Sequence, residues 1–194
     1  MFVHSRVATH CSTIVEEPTT EGGDMEEPSG AEEALERSRR ETRAAFENRA
    51  LMYFYLYDEL TGTLGAQRAA EVMKKAIHRR GLQVGAKYRP AAEAGDLDEV
   101  GRIFCEDSAC AGELFRPGVE VRDEESVVLS MRACPLVDAW RRLRLSPDEI
   151  DTLCSIAAAV DEGTFEGAGL RLEFLDRIGK PGSERCLLEL RLPG

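Results

Sequence analysis

Residues 170–192 restrict the possible folds of this chain more than any other stretch. Alternate positions are apolar on both sides of a turn: Leu170, Leu172 and Phe174 before Gly179, Lys180, Pro181 and Gly182, then Cys186, Leu188, Leu190 and Leu192 after it. A period of two around a Gly/Pro turn specifies an antiparallel hairpin with one apolar face. An isolated hairpin is marginal in water, so the rest of the chain must extend the sheet and cover that face. Val119–Arg122 and Ser126–Arg132, flanking the polar Asp123, Glu124 and Glu125, read as a second hairpin.

The covering layer is legible as helices. From Ala31 a polar stripe (Leu35, Ser38, Thr42, Ala45, Arg49, Met52) gives way to residues 51–57, apolar all round, which predicts burial at that point. Gly62 and Gly65 punctuate the pattern, and Ala69, Val72, Met73, Ala76 and Ile77 continue it in a second helix that Gly81 is expected to stop. Residues 86–95 read as a loop, Asp96–Phe104 as a short helix, and Leu136–Leu143, with the lone Trp140, as another. Ser146, Pro147 and Glu149 make a capping box with proline at the first helical position. That helix is expected to run to about Asp161, with Ile150, Leu153, Cys154, Ala157 and Val160 on its apolar face. The expectation is an α+β fold: helices packed on one face of a small, mainly antiparallel four-stranded sheet, as one domain over residues 31–194.

Charge separates that domain from what precedes it. Residues 1–33 carry eight acids against Arg6 alone, a charge of −7, which leaves −4 of the total −11 for the remainder. Residues 1–30 therefore read as a disordered acidic tail with too little apolar content to fold. A nearly neutral domain with no basic stripe argues against nucleic acid or an anionic membrane as partner. Without an apolar leader-like run near Met1 or a stretch of about 20 apolar residues, a cytoplasmic protein is expected. Its six cysteines are then reduced.

Several thiols fall on core-facing positions. Cys134 ends a strand before Pro135, Cys154 sits on the apolar face of the capped helix, and Cys186 opens the last strand. A buried cysteine is ordinarily a small hydrophobe. Asp161 is less easily dismissed, because a carboxylate on an apolar stripe is costly unless paired. Seven helical residues rise about 10.5 Å, so Cys154 and Asp161 can bracket a small ligand but not co-ligate one ion unless the helix ends early. Cys105 and Cys110 have the wide spacing of half a zinc site without a second half. His78 has no evident partner. Phosphate loops, a nucleophile elbow, a His-Glu-x-x-His pair and a dinucleotide fingerprint are all absent from the sequence.

Tyr57–Leu60, Leu64-Gly65 and Ala69–Gly81 resemble the N-terminal helical segment of the L-2-amino-thiazoline-4-carboxylic acid hydrolase-like family. Cys134-Pro135, Trp140, Cys154 with Asp161 seven residues on, and Gly182 before Cys186 resemble its C-terminal part, so the resemblance spans residues 50–192. It implies hydrolytic opening of a small thiazoline- or amidine-type molecule, with Cys134, Cys154, Asp161 and Cys186 as the site. Two mechanisms remain open. A thiolate of Cys134 or Cys154 attacks the amidine-like carbon while Asp161 handles a proton or the substrate amine. Alternatively, Cys134, Cys154 and Cys186 hold a metal ion that activates water. A reading of another class is a vinyl-reductase-type small-molecule-binding domain, acting as sensor or carrier with structural or metal-binding cysteines.

Overall fold

The structure is a computed structural model that describes residues 30–122 and 125–193. The expected acidic tail lies outside the described residues. The elements run α1 (Gly30–Leu64), α2 (Ala66–Val84), α3 (Arg89–Glu93), α4 (Leu97–Glu106), β1 (Pro117–Arg122), β2 (Ser126–Met131), α5 (Pro135–Arg142), α6 (Pro147–Ala157), α7 (Ala159–Ala168), β3 (Arg171–Asp176) and β4 (Cys186–Arg191). The α+β class is as the sequence predicts.

Both hairpins form. The sheet is antiparallel throughout, in the order β1-β2-β4-β3, so the two hairpins join through their second strands. Register aligns the apolar positions: Val127 faces Leu190, Leu129 faces Leu188, and Met131 faces Cys186. Leu129, Leu188 and Leu190 are completely buried. They meet Val100 of α4, Val137 and Trp140 of α5, Leu153 of α6 and Phe165 of α7 in one core. The Trp140 indole N–H donates to the Ala50 carbonyl at 2.9 Å, which satisfies the one polar atom of a fully buried ring and ties α5 to α1.

The capping box is complete. The Glu149 N–H donates to the Ser146 hydroxyl, and the Glu149 carboxylate accepts from the Ser146 N–H. The predicted end of that helix is wrong, however. The helix stops at Ala157, and α7 restarts at Ala159 to run on to Ala168. Asp161 therefore lies in the first turn of a separate helix, and its N–H bonds the Ala158 carbonyl at 3.0 Å. The shared face with Cys154 inferred from a seven-residue spacing does not exist.

Gly81 likewise does not stop α2, which continues to Val84. The reason is tertiary. An added Cβ at Gly81 would lie 2.2 Å from the Val160 carbonyl oxygen, and one at Gly163 would lie 2.1 Å from that of His78. Gly85 and Gly167 repeat the pattern four residues on, against Thr164 and Leu82. Two glycine pairs thus let α2 and α7 cross with backbones in direct contact, an arrangement that any side chain would prevent.

Two further expectations are corrected. The stretch 86–95 is a single 3-10 turn, Gly85–Lys87, followed by α3, because Tyr88, Ala91 and Ala92 have core to cover. The 51–57 segment is not buried all round: Met52, Tyr55 and Leu56 remain about half exposed, and Ala50 is the fully buried residue of α1. No described helix is long and apolar enough to cross a membrane.

Candidate functional site

A cavity of about 770 Å³ opens between α1, α2, α5 and α7. Its wall is built from helical faces. Phe46, Tyr53 and Leu56 come from one stripe of α1, and Met73, Ile77 and Val84 from one stripe of α2. Tyr88, Phe104 and Phe115 add rings, so most of the lining is apolar. Of the four groups singled out in the sequence, Cys134 and Asp161 face this space.

Cys134 reaches the cavity because β2 ends there and Pro135 begins α5 behind it. Burial pushes its thiol up to about 12, with the amides of Val137 and Leu136 pulling the other way and Cys154 adding to the rise. Two N–H groups near the sulfur favour any negative charge that develops there.

Asp161 is walled in by protein yet keeps part of its surface open, because that part faces the cavity. Desolvation, reinforced by the neighbouring Glu162, raises its carboxyl from the ordinary 3.8 to about 7. A position in the first turn of a helix favours the ionised form, and desolvation outweighs it. The result is a carboxyl that exchanges its proton near neutrality, the range suited to general acid–base work.

Cys154 and Cys186 stand elsewhere. Both are buried, and neither lines the cavity. The Ile178 N–H donates to the Cys186 sulfur at 3.4 Å, and the Gly179 N–H faces the Cys154 sulfur. An added Cβ on Gly179 would meet Cys154 Sγ at 2.6 Å, so the turn after β3 is seated directly on that side chain. Burial raises Cys154 and pushes Cys186 up to about 12. The Cys186 thiol also feels Cys154, Cys134 and Asp161, so all four groups singled out in the sequence lie within electrostatic reach of one sulfur.

The metal alternative for Cys134, Cys154 and Cys186 finds no geometric support: among the described residues no group of three or more His, Cys, Asp and Glu side chains is arranged to hold an ion. Cys105 and Cys110 are likewise part of no such group. His78, read as partnerless, places its Nε2 2.9 Å from the Glu166 carboxylate.

Reasoning from sequence missed the cavity wall. Arg49 and Arg80 stand exposed among its lining residues, and neither has an ion-pair partner among the described residues. The Arg49 guanidinium instead lies over the Phe46 ring, 4.6 Å from its centroid. The available signal was the i, i+3, i+7 spacing of Phe46, Arg49 and Tyr53, which places a cation between two aromatic rings on one helical face.

No curated protein sequence matches the chain. Among solved structures, a similar one is trafficking protein particle complex subunit 3 from Naegleria fowleri, covalently bound to palmitic acid. It has a TM-score of 0.49 at 14% identity and covers 78% of this chain and 96% of that one. The sequence model of L-2-amino-thiazoline-4-carboxylic acid hydrolase matches residues 43–189, which include α2 through β3, the cavity and all four candidate site residues, Cys134, Cys154, Asp161 and Cys186. The chain belongs to the L-2-amino-thiazoline-4-carboxylic acid hydrolase family.

Proposed function

We propose that this protein hydrolyses a small thiazoline- or amidine-type molecule bound in the cavity, with Cys134 as nucleophile and Asp161 as the proton-transferring group. The observation that carries the reading is that these two, of the four groups singled out, face the same apolar space. Ionised Asp161 accepts the Cys134 proton, and the sulfur adds to the amidine-like carbon. The pair of electrons displaced from the carbon–nitrogen double bond passes to nitrogen, which takes up the proton held by Asp161. Collapse of that adduct breaks the ring carbon–sulfur bond and releases the ring sulfur as a thiol. Water then adds to the same carbon, and loss of the Cys134 sulfur regenerates the enzyme. The amides of Leu136 and Val137 stabilise negative charge on Cys134 as it leaves or attacks. An amidinium substrate beside Asp161 also lowers the cost of forming the thiolate, since a thiol held near 12 is otherwise unreactive at neutral pH.

That high resting value favours a second reading, in which the cavity binds a small molecule without turning it over. One experiment separates them. L-2-amino-thiazoline-4-carboxylate and related cyclic amidines are offered to the wild type and to Cys134→Ala, and thiol release is followed. The hydrolase reading expects turnover by the wild type and a loss of at least about 10²-fold in the variant. Cys154→Ser and Cys186→Ser are expected to cost about 1–3 kcal/mol of stability with the rate retained. Binding without turnover across the substrate series would support the carrier reading instead.

A further inference from the structure

We infer that the ligand of this cavity is amphipathic, with a multi-ring, mainly apolar body that carries the amidine-type group inside and a single anionic head at the rim against Arg49 and Arg80. The inference rests on the cavity being the ligand site, as proposed above, and deepens that reading by naming a ligand class.

Size is the first argument. About 770 Å³ lies well within the range of sites that enclose drug-sized ligands. A lone five-membered ring fills little of it, and an apolar cavity left wet is unfavourable.

Lining is the second. Phe46, Tyr53, Tyr88, Phe104 and Phe115 surround the space with ring faces and edges, which prefer other rings at offset or edge-on geometry.

Charge placement is the third and decides orientation. Inside the cavity the ionisable groups are Cys134, Tyr53, Tyr88 and Asp161, each raised chiefly by burial. None is a cation, and an anionic head placed there would be repelled by Asp161 and stripped of water. At the rim the balance is reversed. Arg49 and Arg80 are exposed and carry no salt bridge among the described residues, whereas the acid there, Asp107, is held by Lys87 at 3.1 Å. A carboxylate at the rim thus finds two guanidiniums that hold no acid, the chemistry of charge-assisted hydrogen bonds. The same orientation sends the body of the ligand toward Cys134 and Asp161.

The test uses an isosteric series that needs no turnover: naphthylacetate, naphthylethanol and naphthylethylammonium, with acetate as the head group alone. Binding to the full chain is measured by calorimetry and by naphthyl fluorescence. Naphthylacetate is expected to bind one per chain and at least about tenfold more tightly than the alcohol, the effect of one or two charge-assisted hydrogen bonds. The ammonium and acetate are expected to bind more weakly still. Arg49→Gln with Arg80→Gln, both on exposed positions, removes the preference of acid over alcohol while alcohol binding stays within about twofold. Cys134→Ala leaves all four affinities in the same order. A loss of turnover in that variant therefore bears on the reaction, and its ligand binding bears on the class. Equal affinity for the three heads, no naphthylacetate binding, or a preference that survives loss of both arginines would overturn the inference.

Discussion

Replacing Asp161 by Asn is expected to stabilise the folded chain by roughly 2–4 kcal/mol at pH 8, and by only about 1–2 kcal/mol at pH 5. In the unfolded chain this carboxyl ionises near 3.8, and in the fold it holds its proton to about 7. Between those values the folded state binds more protons than the unfolded one, so stability falls as pH rises from about 4 to 7. Above pH 7 the whole cost of a desolvated carboxylate is present. Asparagine keeps the size and the polar head but never ionises, so the penalty disappears. Urea denaturation of both proteins at the two pH values measures the difference. The same variant is expected to lose at least about 10²-fold in turnover, because the group that accepts and returns the proton is gone. A gain in stability coupled to a loss of rate separates a functional carboxyl from a structural one. Equal stabilities at pH 8 would show that Asp161 is solvated after all.

The second large effect lies in the glycine seam. Gly163→Ala is expected to cost more than about 3 kcal/mol, at the upper end of overpacking effects. The added methyl would sit 2.1 Å from the His78 carbonyl oxygen and 2.9 Å from its carbon. Both are backbone atoms in mid-helix, which cannot rotate aside as a side chain can. Alanine ordinarily favours a helix over glycine by about 1 kcal/mol, so the observed loss is net of that gain. Gly62→Ala is the matched control, because a Cβ there meets nothing within 4 Å. It is expected to be neutral or slightly stabilising. The seam also matters to the site, since α2 brings Met73, Ile77 and Arg80 to the cavity and α7 brings Asp161. Forcing the two helices apart moves one wall away from the other. Thermal unfolding of the two variants gives the comparison directly, and a Gly163→Ala protein as stable as the wild type would contradict the close crossing.

The same glycines show where reading from the sequence succeeds and where it stops. The hairpins were legible because a period of two with Leu188 and Leu190 in phase is a local pattern with one physical solution. The Ser146 cap was legible because its partner, Glu149, is three residues away. Gly81 was misread because a glycine near the end of a periodic run is a stop signal by local rules. Its actual role depends on Val160 and Gly163, about eighty positions along the chain. The break at Ala158 has no local marker either: Ala157, Ala158 and Ala159 are all good helix formers, and Gly163 and Gly167 weaken the helical signal of α7 beyond it. Asp161 was found by the logic of costly burial and Cys134 by its core-facing place at a strand end, although the spacing argument joining Asp161 to Cys154 failed with the helix break. Arg49 and Arg80 stayed hidden because an exposed arginine on a helix is ordinary until the cavity beside it is known.

The central claim is that Cys134, reached through the cavity and served by Asp161, attacks the substrate carbon. Intact-protein and peptide mass spectrometry of acid-quenched enzyme during turnover of a cyclic amidine tests it most directly. The account predicts a substrate-derived adduct on Cys134, absent in Cys134→Ala, with Cys154 and Cys186 unmodified. An adduct on Cys154, or turnover that persists in Cys134→Ala, would contradict it.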